Sequence, residues 1–203
     1  MPRPSNTEER RQQIVDGLLK VMAERGYERA SVGEIAKAAG LGPGLVHYHF
    51  SGKQEILLTL VGQLASRVRE RVETRLAKLK SDDSRARVDA FIDAFLSRGE
   101  DAAPEAVASW VTISAEAIRQ PEVRAAYEAV VRADLARLES LVADVVGRRR
   151  ARTIAAGLFA AVQGYFVLSA SAPGLVPAGS AAGTVKRMAA GLLDTAEAKE
   201  EAS

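Results

Sequence analysis

Apolar residues in this chain recur at intervals of three and four and almost never alternate, so helices are expected throughout and strands nowhere. Residues 7–25 put Ile14, Leu18, Val21 and Met22 on one helical face. Gly26 then supplies a stop, and Tyr27 can fold back onto that face. Ser31-Val32-Gly33-Glu34 has the S-x-x-E form of a capping box and opens a helix carrying Val32, Ile35, Ala36 and Ala39. Gly40-Leu41-Gly42 reads as a tight turn. Pro43 suits the first position of the next helix, where a missing N–H costs nothing, and Ser51-Gly52 ends that helix near Phe50. One long helix is expected over 53–80, with Ile56, Leu60, Val61, Leu64, Val68, Val72, Leu76 and Leu79 as its apolar stripe. Further helices are expected at 84–98, 105–119, 121–146, 149–170 and 181–197, with short loops at Asp82-Asp83 and 99–103 and a Pro/Gly loop at 171–180. The expected fold is all-α: a three-helix domain of helix-turn-helix form over 7–53, a connecting helix over 54–80 and a larger helical domain over 81–198.

Composition narrows the classes. With 203 residues, 47% of them hydrophobic and 27% charged, the chain can build a core of one or two domains. It has no cysteine, which removes disulfides, thiol catalysis and cysteine-based zinc sites. The polar N-terminus shows no export signal and no apolar run looks long enough for a bilayer, so a cytoplasmic protein without a membrane partner is expected. Residues 1–53 hold 8 Lys/Arg against 6 Asp/Glu, whereas 54–203 hold 20 of each, so the whole surplus of +2 lies in the first quarter. The only two histidines, His47 and His49, are two apart on a helix and face different ways, which disfavours a shared metal. HExxH and G-x-S-x-G patterns are absent. No catalytic residue, metal or cofactor is expected, and the chain does not read as an enzyme.

The first three helices carry the chemistry. Val46 and Phe50, four apart, turn inward, which leaves Gly44, Leu45, His47 and Tyr48 outward on a short helix that suits the major groove. His47 can reach a base edge, and Tyr48 or His49 a sugar or phosphate. Lys53 can neutralise a phosphate, Ser31 can donate to one, and the helix starts at Ser31 and Pro43 add partial positive charge. Loss of the Tyr48 or Lys53 side chain is expected to weaken operator binding without changing thermal stability.

Residues 7–65 resemble the DNA-binding domain of TetR-family transcriptional regulators, through Ile14, Gly26, Ser31-Val32, Ile35-Ala36, Ala39-Gly40-Leu41, Gly44, His49-Phe50, Lys53 and Leu57. Two departures are Gly42, where the family commonly has a capping serine, and His47, where it commonly has tyrosine. Trp110, Glu116-Ala117, the segment 120–124 and Tyr127 resemble the BetI-like branch. The resemblance implies a homodimeric repressor that binds double-stranded operator DNA and is released by a small-molecule effector. A transcriptional activator, or a regulator controlled by a protein partner, is the alternative.

A helix at 153–170 that is apolar nearly all round must bury two faces. Ile154, Leu158, Ala161 and Tyr165, with Val185, Met188, Ala189 and Leu192 of the last helix, are the expected dimer interface. The resemblance gives the same answer, two helices from each subunit. It also implies a pocket within 85–170. Candidate lining residues are Phe91, Phe95, Trp110, Ile113 and Tyr127, then Phe159, Val162 and Phe166. The few polar candidates are Glu116, Gln163 and Arg98, which fits a largely apolar effector.

Overall fold

The computed structural model describes residues 6–80, 83–96 and 104–201, with side-chain surroundings through residue 196. Arg98, Asp82 and the expected loop at 99–103 lie outside the described residues. Among those described, every element is helical: α1 (Asn6–Arg25), α2 (Val32–Ala38), α3 (Pro43–His49), α4 (Lys53–Ala77), α5 (Ser84–Leu96), α6 (Pro104–Arg119), α7 (Pro121–Val146), α8 (Arg148–Ser171) and α9 (Ser180–Glu201). The prolines expected to open helices do so at Pro43 and Pro121, and Pro104 opens α6 in the same way.

The chain divides into two compact units. The first runs through α1, α2, α3 and α4 as far as Ala65, and also takes Pro104–Glu128, which is α6 and the start of α7. The second begins at Ser66 and takes the rest of α4, α5, the later part of α7 from Ala129, α8 and α9. Two helices, α4 and α7, are thus shared between units.

In the first unit α1 packs on α2, α3 and α6. Its inward residues Ile14, Val15, Leu18 and Met22 are almost wholly buried. Gly40, at φ 70°, lets the chain reverse after α2 while the Leu41 N–H donates to the Ala36 carbonyl at 2.9 Å. Gly17 has a different role. A Cβ there would sit 2.7 Å from the Ile35 carbonyl oxygen and 3.1 Å from the Ala39 Cβ, so only glycine permits this approach of α1 to α2.

The second unit is built on a core in which Val72, Val88, Phe91, Ile92, Phe95, Leu138, Val142, Leu158, Phe159, Val162, Val185, Ala189 and Leu193 are all buried. This corrects part of the expected dimer interface. Leu158 and Val185 are fully buried and Ala189 nearly so, all within the protomer's own core. Ile154, Ala161 and Tyr165 are half-buried against it, while Met188 and Leu192 are 46% and 42% exposed. On α9 exposed Met188 and Leu192 each stand one residue before buried Ala189 and Leu193, about 100° around the helix, and a largely apolar helix carries no mark of that phase.

A second correction concerns α8. Its 24 residues are long and apolar enough, by length and composition alone, to cross a bilayer, contrary to the sequence expectation. Buried Ala151, Ala155, Leu158, Phe159 and Val162 instead give it one face in the core of its unit.

Gly17→Ala should test the close approach of α1 and α2. Alanine gains up to ~1 kcal/mol in helix propensity, but overpacking against a backbone oxygen costs about 1–3 kcal/mol. The variant should therefore lose stability on balance, read as a lower Cm in urea at unchanged m.

Candidate nucleic-acid interface

The α2 start is fixed by its own side chains. The Ser31 hydroxyl accepts from the Glu34 N–H at 3.2 Å, and the Glu34 carboxylate accepts from the Ser31 N–H at 3.0 Å, completing the capping box. These contacts with Ser31, and then Arg25 at 2.7 Å, hold the Glu34 carboxyl below its ordinary range. Ser31 remains exposed, but its oxygen is already engaged as a cap.

The start of α3 has no side-chain cap. Gly42 is its N-cap and Pro43 its first residue, and the Leu45 N–H donates to the Gly42 carbonyl at 3.0 Å. Val46 and Phe50 are buried at 1% and 2% exposure. The opposite side presents Pro43, Gly44, Leu45, His47 and Tyr48 to solvent, with the Tyr48 ring 80% exposed. His49 is half-buried, its ring set edge-on to Tyr48 at 5.0 Å. The structure thus brings the outward set together on one face of a two-turn helix.

Lys53 has a role the sequence did not reveal. Its Nζ donates to the Tyr27 carbonyl at 3.0 Å and reaches the Glu28 carbonyl at 3.4 Å. It also lies 4.3 Å from the centroid of the Tyr27 ring. The cation expected to meet a phosphate therefore ties the start of α4 to the turn after α1.

The effector candidates divide between the two units. In the first, Trp110 and Tyr127 rings lie 5.1 Å apart at 37°, Ile113 is fully buried, and Glu116 is only 8% exposed. Glu116 accepts from Gln120 Nε2 at 2.7 Å, while nearby arginines are engaged elsewhere, Arg119 with Glu28 at 2.6 Å and Arg124 with the Ala117 and Ile118 carbonyls. Burial, and then the charge of Glu116, push the Tyr27 phenol up. The buried hydroxyl of Ser109, on α6, has no hydrogen-bond partner among the described residues. In the second unit, Phe95 stacks on Phe91 at 4.8 Å and meets Phe159 at 5.8 Å and Phe166 at 6.3 Å. Val162 is fully buried and Gln163 half-buried on the same helix.

Asp134 was missed from the sequence. It lies on α7 three residues after Val131 and four before Leu138, both of which join the apolar core of the second unit. Its half-buried carboxylate accepts no hydrogen bond among the described residues. Burial raises its pKa to about 6, against the opposing pull of Arg69. Periodicity carried the signal, an acid at an inward position of an amphipathic helix.

Two predictions follow from this geometry. Tyr48→Ala should leave the thermal midpoint unchanged, whereas Lys53→Ala, which strips two carbonyls of their cation, should cost about 1–2 kcal/mol in thermal unfolding. For Asp134, the folded chain binds a proton more tightly than the unfolded chain between about pH 4 and 6. Its contribution to stability is therefore greatest at the acid side and falls as pH rises through that window. The stability of Asp134→Asn relative to wild type should drop by about 2 kcal/mol on moving from pH 7 to pH 4, measured by urea unfolding at each pH.

Comparison with known proteins agrees with this architecture. Residues 14–60 match the bacterial regulatory proteins of the tetR family, and residues 84–194, more than half of the chain, match the C-terminal region of BetI-type transcriptional repressors. The HTH-type transcriptional regulator BetI of Rhizobium meliloti is 33% identical over 124 residues, which span 61% of this chain and 60% of that protein. BetI of Brucella anthropi is 26% identical over 85% of this chain and 89% of its own length. Among solved structures, a transcriptional regulator from Rhodococcus sp. Rha1 superposes with a TM-score of 0.81 at 24% identity, covering 92% of this chain and 97% of that one. A transcriptional regulator from Saccharomonospora viridis in complex with choline superposes at 0.74 and 19% identity, covering 92% of this chain and 96% of its own. The chain belongs to the TetR family of bacterial transcriptional regulators, with the C-terminal region of the BetI-type repressors.

Proposed function

We propose that this regulator is a homodimeric repressor that acts on DNA in the cytoplasm and is released from its operator by a small, largely apolar organic cation. The observation that carries the DNA reading is the outward face of α3, where His47 and Tyr48 stand exposed over a glycine. A two-turn helix reads few base pairs, so a dimer spanning two half-sites suits the task.

The dimer reading is supported by the outer surface of the second unit. Val167 and Leu168 on α8 and Met188 and Leu192 on α9 are each more than 40% exposed. Ala156, Gly157, Ala160 and Gly164 on α8 are exposed too, and such small residues allow two helices to approach closely. In the revised interface Met188 and Leu192 remain, Ile154, Ala161 and Tyr165 stand at its edge, and Leu158, Val185 and Ala189 support it from within.

Two carboxylates in apolar surroundings support a cationic effector. Asp134 in the second unit has no hydrogen-bond donor, and Glu116 in the first has Gln120. Glu116 is buried with one neutral donor, and a ligand cation would offset the cost of keeping its charge there. In the first unit, the aromatic pair Trp110–Tyr127 offers lining of the kind such a ligand needs. The choline complex of the Saccharomonospora viridis relative supports the same class.

The test joins three readouts on one protein. Gel shift with the DNA upstream of its own gene should give a retarded band. Met188→Glu with Leu192→Glu should sediment as a folded monomer and lose that band, because both side chains are exposed and carry little of the protomer core. Choline and longer-tailed quaternary ammonium compounds should release the wild-type complex over the range in which they quench Trp110, with Glu116→Gln weakening both. A double variant that stays dimeric, or release by neutral and anionic compounds alone, would overturn the corresponding part.

A further inference from the structure

Arg11 of α1 is engaged three times at the far end of the recognition helix. Its guanidinium lies 4.0 Å from the centroid of the buried Phe50 ring. One nitrogen donates to the His49 carbonyl, and another meets Glu55 at 3.3 Å. The second oxygen of Glu55 accepts from both the N–H and the hydroxyl of Ser51 at 2.8 Å. Those contacts with Ser51 lead, and Arg11 follows, in holding the Glu55 carboxyl below its ordinary range. Phe50 and Ser51, in the break between α3 and α4, are therefore tied to Arg11 directly or through Glu55, and so is the His49 carbonyl, 38 residues after it.

The rest of α3 is loosely fixed. It has seven residues, its start carries no side-chain cap, and Val46 is its only buried residue. A helix this short has little stability of its own and takes its orientation from its anchors. The last carbonyls of a helix also lack internal partners, and the Arg11 fork supplies one. With its charge already paired with Glu55 and a carbonyl, Arg11 is poorly placed to act as a phosphate contact.

We propose that Arg11 is the positioning residue of the recognition helix, and that its fork on the His49 carbonyl, the Phe50 ring and Glu55 sets the angle at which His47 and Tyr48 meet DNA. The proposal rests on the DNA-binding reading above, and its test separates the two. Duplexes are first selected from a random pool with the wild-type protein. Wild type, Arg11→Gln, Arg11→Lys and Glu55→Gln are then titrated at four salt concentrations against a selected duplex and a scrambled one, with thermal unfolding alongside. Arg11→Gln should bind the selected duplex about tenfold more weakly and the scrambled one nearly as before, with an unchanged salt slope. Arg11→Lys keeps the charge but not the fork, so it should recover only part of the loss. Glu55→Gln should shift the ratio in the same direction, which keeps the idea testable if Arg11→Gln folds poorly. Equal losses on both duplexes with the slope reduced by about one would make Arg11 a phosphate contact and overturn the proposal. A lowered midpoint with an unchanged ratio would make it a general stabiliser, with the same consequence. A wild-type protein that enriches no duplex would sink the DNA-binding reading and this proposal with it, before any variant is measured.

Discussion

Seven residues make two turns of helix, and two turns do not hold themselves in water. The burial of Val46 and Phe50 fixes α3 against its neighbours, at roughly 1.5–3 kcal/mol for each side chain. That burial determines which face points inward, yet it does little to set the tilt of the helix axis. Orientation comes from polar anchors at and just beyond its C-terminal end. Arg11 holds the C-terminal end, and just beyond it Lys53 ties the start of α4 to the Tyr27 and Glu28 carbonyls. Two cations that net charge would assign to a DNA surface are used to align the element that displays the outward rings.

This explains which parts of the site were legible in the sequence. The inward and outward faces of α3 follow from the four-residue spacing of Val46 and Phe50, and the α2 start follows from Ser31 and Glu34. Both are local patterns, set within one turn of helix. The partners of Arg11 are 38 and 44 residues away, and no periodicity connects them. Lys53 was read correctly as a basic residue at a helix start, but its carbonyl partners lie 26 and 25 residues back. Helix limits in the larger half were also legible, because Pro121 and the Pro/Gly loop before α9 are backbone signals.

The phase of α8 and α9 was not legible for a different reason. On a helix with apolar residues all round, the sequence says that two faces are buried and leaves open which one lies on the protomer's own core. The structure resolves this at Leu158, Val185 and Ala189, which are interior, against Met188 and Leu192, which are exposed. Asp134 shows the converse. One acid among the many charges of α7 is unremarkable in composition, and only its register with Val131 and Leu138 sets it apart.

Gly17 has a mechanical consequence. Because its missing side chain lets the α1 backbone come against the Ile35 carbonyl, α1 and α2 share a contact of backbone on backbone, with no flexible side chain between them to absorb motion. Such a joint is stiff. At that point α1 cannot move toward α2 without displacing its backbone, and Arg11 joins the same helix to the end of α3. A rotation of α1 would then have to be shared by α2, and the outward rings of α3 would be displaced with the helix whose Arg11 holds its end.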